Sequence, residues 1–234
     1  MNKDKASLIP LISFVFILLA SVFGVTQEND FVIGDFVLSK FGLPIWSHGL
    51  EGLHYSALIS ILFGIIGLIG FASFFKEVSL RLKVLILITL IFGHSIFFQS
   101  YTIVKGYSNG LETIDFYRNQ SYCNFRSTDD NKFIKIDSKI VLTNYSKNRK
   151  YFYIRLLLNR DRDQLMQDKS LIAIDDQTNN PKVFSLNPKT KTTINAVFMA
   201  RQNKGISSAS GSFSDMDVII FDKKGEVKFI KGIY

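Results

Sequence analysis

Side chains that react or bind metals are scarce in this chain of 234 residues. It has one cysteine, three histidines, one tryptophan and four prolines. A single thiol excludes an intramolecular disulfide. No histidine lies after residue 104, so the C-terminal part cannot assemble a Ser-His or Cys-His pair. Neither a glycine-rich phosphate loop nor an EF-hand loop is present. We therefore predict that the protein is not an enzyme and holds no cofactor.

Charged residues are absent from three long apolar stretches, at residues 8–25, 55–75 and 84–104. A helix that crosses a bilayer needs about 20 apolar residues. Each stretch is therefore a predicted transmembrane helix, residues 1–104 are a predicted membrane domain, and the lipid bilayer is its first partner. A cleaved signal peptide is the alternative for the first stretch, although its apolar part is long and a small-x-small cleavage site is missing.

Basic residues in the short flanks of these stretches predict the orientation. The two flanks on one side hold five, whereas the connection 26–54 holds one. The five are Lys3, Lys5, Lys76, Arg81 and Lys83, and the one is Lys40. Positive flanks stay in the cytoplasm. We predict a multi-pass cell-membrane protein with a cytoplasmic N-terminus and an extracytoplasmic C-terminal domain. A re-entrant stretch would change the number of crossings.

One short cluster in the connection between the first two stretches has the chemistry of a metal site. His48, Glu51 and His54 follow at spacings of three, which would place two imidazoles and a carboxylate on one helical face, as zinc binding requires. The glycines between them and the shortness of the cluster favour coincidence, so we predict no metal site. The same connection is apolar for a loop and predicts a short interfacial helix from about Val32 to Phe41.

Small and polar residues within the apolar stretches are candidates for helix contacts. Gly64, Gly67 and Gly70 let another helix approach the second stretch, either within this domain or from a membrane-protein partner. His94 lies near the centre of the third stretch. We predict that it makes an interhelical hydrogen bond, because no acidic residue in the other stretches completes a proton relay.

The net charge of +8 arises entirely after residue 104, since residues 1–104 carry six basic and six acidic residues. A basic surface outside the cell attracts anionic lipid head groups or other anionic envelope components. A solvated surface that keeps the domain soluble is the alternative. Nucleic acid is not an expected partner on that side of the membrane.

Beyond the apolar stretches, hydrophobic residues alternate with polar ones, as in strands with one buried face. Three such sets occur: Ile134, Ile136, Ile140 and Leu142; Phe152, Ile154, Leu156 and Leu158; Ile194, Ala196 and Phe198. Turn sequences separate about seven predicted strands. We predict a linker over 105–130 and an antiparallel β-sandwich over 131–234.

A resemblance supports this fold class. Residues 139–148, followed by Tyr151, Phe152, Tyr153 and Ile154, resemble the strand, turn and strand that begin immunoglobulin-like extracytoplasmic domains of bacterial membrane proteins. The cysteine pair and core tryptophan of antibody domains are missing. The resemblance implies a binding or spacing module without naming its ligand.

Three functions follow as hypotheses. The first is a membrane-anchored extracytoplasmic module that acts by binding or assembly. The second is an accessory subunit of a membrane transporter or envelope enzyme complex, with the three glycines and His94 as contact points. The third is a metal-dependent membrane enzyme using His48, Glu51 and His54.

Overall fold

The structure is a computed structural model of the chain and describes residues 3–24, 32–48, 51–73, 76, 79–158, 164–206 and 208–230. The chain divides into two compact units, which meet in the sequence between Tyr101 and Thr102. We call residues 1–101 the helical unit and residues 102–233 the β-unit.

The helical unit is built from helices and one small hairpin. Its elements are α1 (Lys3–Phe23), α2 (Ile33–Lys40), β1 (Trp46–His48), β2 (Glu51–His54), α3 (Tyr55–Ser73) and most of α4 (Leu80–Tyr107). The helix predicted between Val32 and Phe41 is confirmed as α2. It ends at Gly42, whose φ of +68° is the left-handed conformation that favours glycine after a helix.

The prediction of three transmembrane helices is wrong in number. Among the described helices only α3 is long and apolar enough to cross a bilayer as it stands. Helix α4 qualifies only if its segments 83–89 and 91–107, which meet at 43°, form one broken span. The apolar part of α1, Ile9–Phe23, is shorter than a span requires.

Helix α4 differs from the predicted span because its backbone is bent, and apolar composition does not reveal a bend. Thr89 lies at the bend, and its Oγ1 donates a hydrogen bond to the carbonyl oxygen of Leu85 at 2.9 Å. A threonine that bonds back to the preceding turn in this way often bends a helix.

The outer surface of α3 is apolar. Seven of its large aliphatic side chains are at least 42% exposed: Leu58, Ile61, Leu62, Ile65, Ile66, Leu68 and Ile69. Polar side chains lie inside the same unit, where Ser13, Asp35 and Ser56 are each at most 4% exposed. The outer surface of α3 is therefore the reverse of the surface typical of proteins surrounded by water.

The β-unit starts with the last turn of α4 and continues through ten strands. They are β3 (Ile114–Phe116), β4 (Tyr122–Ser127), β5 (Phe133–Asn144), β6 (Lys150–Leu157), β7 (Ser170–Ile172), β8 (Phe184–Leu186), β9 (Thr190–Arg201), β10 (Ser210–Phe213), β11 (Asp217–Phe221) and β12 (Glu226–Phe229). The predicted linker, 105–130, thus contains β3 and β4, and also 3₁₀ turns at Gly110–Thr113 and Arg118–Gln120.

The strands form two antiparallel sheets. In one, β10, β4 and β3 lie on one side of β5 and β9 pairs along the other side. In the other, β12, β11 and β6 are neighbours, and β7 and β8 pair with the free side of β6. Side chains from both sheets build one hydrophobic cluster. Ile136 on β5, Ile154 on β6 and Phe198 on β9 are fully buried in it, which confirms the three alternating sets.

Candidate functional site

One end of the β-unit is organised by a buried asparagine. Asn144, the last residue of β5, is 0% exposed. Its side-chain amide donates to the carbonyl oxygens of Asn148 at 2.8 Å and Asn187 at 3.1 Å, and its Oδ1 accepts from the backbone and hydroxyl of Ser146. The turn between β5 and β6 is thereby fixed beside the turn between β8 and β9. The Lys189 amide also donates to the carbonyl of Ser146, at 3.2 Å.

The last turn of α4 lies against the same end. The Lys105 ammonium contacts the Asp115 carboxylate at 2.5 Å, and the side chain of Asp115 is 4% exposed. A Cβ placed on Gly106 would lie 3.0 Å from the carbonyl oxygen of Tyr145, so the helix approaches the β5–β6 turn at a distance that suits glycine. The segment after α4 is therefore held beside that turn.

An open cleft of about 350 Å³ lies between these segments. It is lined by Gly106, Tyr107, Ser108, Asn109 and Gly110 on one side and by Ser146, Lys147, Asn148 and Lys150 on the other. Its lining contains no aliphatic side chain, and its two charged side chains are both lysines. The cleft therefore suits an anion better than an apolar ligand.

Four cations gather at the rim of the cleft and beside it. Lys147, Arg149 and Lys150 come from the β5–β6 turn, and Lys189 comes from the adjacent β8–β9 turn. We call these four residues the cationic end. None of the four forms an ion pair with a carboxylate in the part of the chain that the structure describes. Their positive charge is available to a ligand.

Some other cations of the β-unit are paired with carboxylates. Lys135 contacts Asp176 at 2.6 Å, and Arg201 contacts Asp168 at 2.8 Å. The hydrogen bond from the Arg201 side chain holds the pKa of Asp168 below its usual value. These two cations thus differ from the four of the cationic end, for which no carboxylate partner is found among the described residues.

Exposed apolar side chains lie next to the cationic end. On the last two turns of α4, Ile103 is 61% exposed, Val104 is 68% exposed and Tyr107 is 78% exposed. Tyr107 also lines the cleft. The β-unit therefore has an apolar surface that adjoins a cationic one through a tyrosine, an arrangement typical of a membrane interface.

A second polar cluster lies inside the helical unit. Asp35 on α2 accepts a hydrogen bond from the Ser56 hydroxyl at 2.5 Å, and its carboxylate lies 2.7 Å from Nε2 of His54. The His54 ring stacks on Trp46 with a centroid distance of 4.3 Å. Ser56 and Asp35 contact the same ring nitrogen, so His54 does not relay a proton between them, and Ser56 is fully buried. We assign this cluster to packing among α2, β2 and α3.

The proposed zinc ligands take different partners. His54 contacts Asp35, whereas Nδ1 of His48 lies 2.9 Å from the Ser47 hydroxyl. The side chains of Glu51 and His94 lie outside the described residues. Among the side chains that are described, no three metal-binding residues come together. The metal hypothesis and the interhelical hydrogen bond of His94 stay predictions.

The three candidate glycines of α3 face α1 of the same unit. A Cβ on Gly67 would lie 2.7 Å from Ile17 Cγ1, and one on Gly70 would collide with the Ser13 hydroxyl. A Cβ on Gly64 would lie at an ordinary 3.6 Å from the Cβ of Ala20. Packing within the helical unit accounts for these glycines, and a contact with another membrane protein through them stays a prediction.

Sequence reasoning missed Asn144, Lys105 and Asp115. Asn144 has a recognisable signal, since an asparagine that ends a strand two residues before a serine favours a side-chain turn. The pair of Lys105 and Asp115 has none, because a helical lysine and a strand aspartate ten positions apart share no local sequence pattern. Comparisons with protein families, curated proteins and solved structures found no match for this chain. The function of the chain is therefore inferred from the chemistry of the site.

Proposed function

We propose that the chain is a membrane-anchored protein that presents its β-unit outside the cell as an immunoglobulin-like module for binding or assembly. The observation that carries the proposal is the outer surface of α3. Burying an exposed aliphatic side chain of this size in an apolar medium contributes about 1.5 to 3 kcal/mol. Seven such side chains on one helix favour a bilayer as the surrounding medium.

The strand order of the β-unit supports the immunoglobulin-like part of the proposal. In that fold the first, second and fifth strands share one sheet, and the third, sixth and seventh share the other. Here β4, β5 and β9 are neighbours, and β6, β11 and β12 are neighbours. The remaining strands, β3, β7, β8 and β10, lie at the edges. The disulfide and the core tryptophan of antibody domains have no counterpart, since the chain's single cysteine is Cys123 and its Trp46 lies in the helical unit.

The extracytoplasmic side is supported by the basic flank 76–83 between α3 and α4, and it requires that α4 cross the bilayer as one broken span. The binding role is supported by the cationic end, whose four cations lie at or beside an open cleft and have no carboxylate partner among the described residues. Binding sites are commonly carried by turns on a rigid scaffold, and both turns here are fixed through Asn144.

Labelling of single cysteines in intact cells tests the membrane anchoring and the orientation together. The sites are Ser79→Cys in the segment before α4 and Asn119→Cys in the β-unit, each in a Cys123→Ser background. Both positions are exposed. We expect an impermeant thiol reagent to label residue 119 but not residue 79, while the chain stays in the membrane pellet after an alkaline wash. Release of the chain by that wash, or labelling of residue 79 but not 119, would contradict the proposal.

A further inference from the structure

We propose that the cationic end docks on anionic phospholipid head groups of the membrane that holds the helical unit. This inference rests on the membrane anchoring in the proposed function and names the partner of the candidate site. In this contact, ammonium groups of the protein bind phosphate oxygens of the ligand. We assign the phosphate to a lipid head group and not to a soluble anion.

The chemistry of the cleft fits a phosphodiester. Lys147 and Lys150 line it with two ammonium groups, and Ser108 adds a hydroxyl. Glu112 is the acidic residue closest to this segment in the sequence, yet it forms no ion pair with the four cations among the described residues. An anion in the cleft therefore meets positive charge without a competing carboxylate.

The apolar neighbours of the cleft favour a lipid over a soluble anion. A free phosphate or an extracellular polyanion would leave Ile103 and Val104 exposed to water. A bilayer covers them with hydrocarbon and places Tyr107 at the head-group level, where tyrosine is enriched. A single chain segment and the turn beside it present an apolar, then an aromatic, then a cationic surface. A bilayer presents the matching environments in the same order, from its hydrocarbon core through the head groups to water.

The fold holds the lysines in place for this contact. Asn144 joins the β5–β6 and β8–β9 turns, and the ion pair of Lys105 with Asp115 fixes the last turn of α4 on the same unit. The cationic end and the exposed apolar residues therefore keep a fixed spacing within the β-unit. Less side-chain and loop entropy is lost when such a surface binds.

Native mass spectrometry of the full chain in mild detergent measures the lipid preference directly. The micelles contain phosphatidylglycerol and phosphatidylcholine in equal amounts, and the ratio of the two bound lipids is recorded. Each lysine near a membrane surface contributes about a fivefold change in affinity. We expect Lys147→Gln with Lys150→Gln to lower the association constant for phosphatidylglycerol roughly tenfold to thirtyfold. Binding of phosphatidylcholine should not change.

Two matched variants control for charge number and for geometry. Lys169→Gln with Lys204→Gln removes two exposed lysines from the opposite end of the β-unit and should keep the preference. Lys147→Arg with Lys150→Arg retains the charge and should also keep it. The preference of the unmodified protein should fall as salt rises, because screening weakens exposed charges. The salt dependence is measured on the unmodified protein, so it does not depend on whether any variant folds.

Three results would overturn the inference. The first is a preference that survives the double glutamine substitution within twofold, and the second is a preference independent of salt. The third is saturation of the same lysines by inorganic phosphate with no added affinity for phosphatidylglycerol, which would assign the cleft to a soluble anion. Loss of the lipid preference in a chain that resists alkaline extraction would leave the membrane anchoring intact. Release by alkaline extraction would instead remove the proposed function.

Discussion

The two units of this chain differ in how far their large aliphatic side chains are exposed. In the helical unit, Ile65 is 50% exposed while Asp35 and Ser56 are buried. In the β-unit, Ile136 and Phe198 are fully buried while Lys147 and Arg149 are exposed. If side chains match the surrounding medium, as the proposed function requires, this contrast is the one expected of a chain that folds in two media.

The units also differ in how their elements are held together. Helices α1 and α3 approach each other at glycines and small residues, and the Ser60 hydroxyl donates to the carbonyl of Ala20 at 2.8 Å. The two sheets of the β-unit are joined by a hydrophobic core of large side chains. Close backbone packing suits helices in lipid, where burial of apolar surface does not drive association. A hydrophobic core suits a domain in water.

The same substitution at two equally exposed positions provides the largest test of this contrast. Val183 of the β-unit is 51% exposed and matches Ile65 of α3. Ile65→Lys should make membrane insertion less favourable by about 3 kcal/mol, because a charge at the centre of a span faces hydrocarbon. Val183→Lys should change stability by less than about 0.5 kcal/mol. The fraction of each variant that resists alkaline extraction measures the effect, and equal behaviour of the two would break the comparison.

Removal of Arg118 tests the polar contacts that hold the β-unit in water. Its guanidinium contacts Asp217 at 2.8 Å and Asp215 at 3.1 Å, and donates to the carbonyl of Met216 at 2.6 Å. Arg118→Met removes the ion pair of the largely buried Asp217 carboxylate with the guanidinium, so we expect the β-unit to lose about 2 to 3 kcal/mol.

Cys123 reports on this loss without interference from the helical unit. It is the chain's only cysteine, is 0% exposed and contacts the Ser138 hydroxyl at 2.8 Å. Its reaction with a thiol reagent in increasing urea therefore follows opening of the β-unit. An unchanged urea midpoint for Arg118→Met would show that the arginine contacts contribute nothing measurable.

Glycine packing in the helical unit is tested by two alanine substitutions. A Cβ at Gly67 would lie 2.7 Å from Ile17 Cγ1 and 3.0 Å from the Ser13 carbonyl oxygen, so Gly67→Ala should destabilise the unit by about 1 to 2 kcal/mol. Gly64→Ala is the matched control, because its Cβ meets Ala20 at an ordinary 3.6 Å. Thermal loss of helical circular dichroism in detergent measures both. If the two variants melt together, the α1–α3 contact is not as close as described.

A buried hydroxyl in the β-unit offers a stabilising change. Thr143 is 8% exposed, and its Oγ1 has no hydrogen-bond partner among the described residues. Thr143→Val replaces that hydroxyl with a methyl group and should stabilise the β-unit by about 1 kcal/mol. The urea dependence of Cys123 reactivity measures the gain, with Thr192→Val, at an exposed position of β9, as the control. A destabilised Thr143→Val would show that the hydroxyl has a partner.

The smallest predicted effect concerns an ion pair at the surface of the β-unit. Because its folded pKa is lowered by Arg201, Asp168 stabilises the fold above the ordinary carboxyl value of 3.8 and loses this contribution as the pH falls through the folded pKa. Asp168→Asn should cost about 0.5 kcal/mol at neutral pH. The difference from the unmodified protein should vanish well below pH 3.8. Calorimetric scans at several pH values measure it, and a difference that grows in acid would contradict the sign.

The strands of the β-unit were predictable because their pattern is local. A period of two places Ile134, Ile136 and Ile140 on one face, and any packed sheet buries that face. The strand β3 was not predictable in the same way. It has three residues, and its central Asp115 is buried in contact with Lys105 of α4. The number of spans was missed because hydropathy counts apolar residues but does not register the bend near Thr89.

The candidate site was predictable only in part. The basic sequence Lys147, Asn148, Arg149, Lys150 is visible in the chain. Its proximity to Lys189 and to the end of α4 depends on Asn144 and on the approach of Gly106 to Tyr145, which are contacts between distant residues. The proximity of these basic side chains to one another is therefore a property of the fold.

The accessibility of a nitroxide at Ile65 to oxygen and to a nickel chelate tests most directly the claim that the two units fold in different media. Ile65→Cys and Val183→Cys, each in a Cys123→Ser background, are spin-labelled and reconstituted in vesicles. We expect oxygen to collide preferentially with the label at residue 65 and the nickel chelate to collide preferentially with the label at residue 183. Equal access of the nickel chelate to both labels would contradict the account.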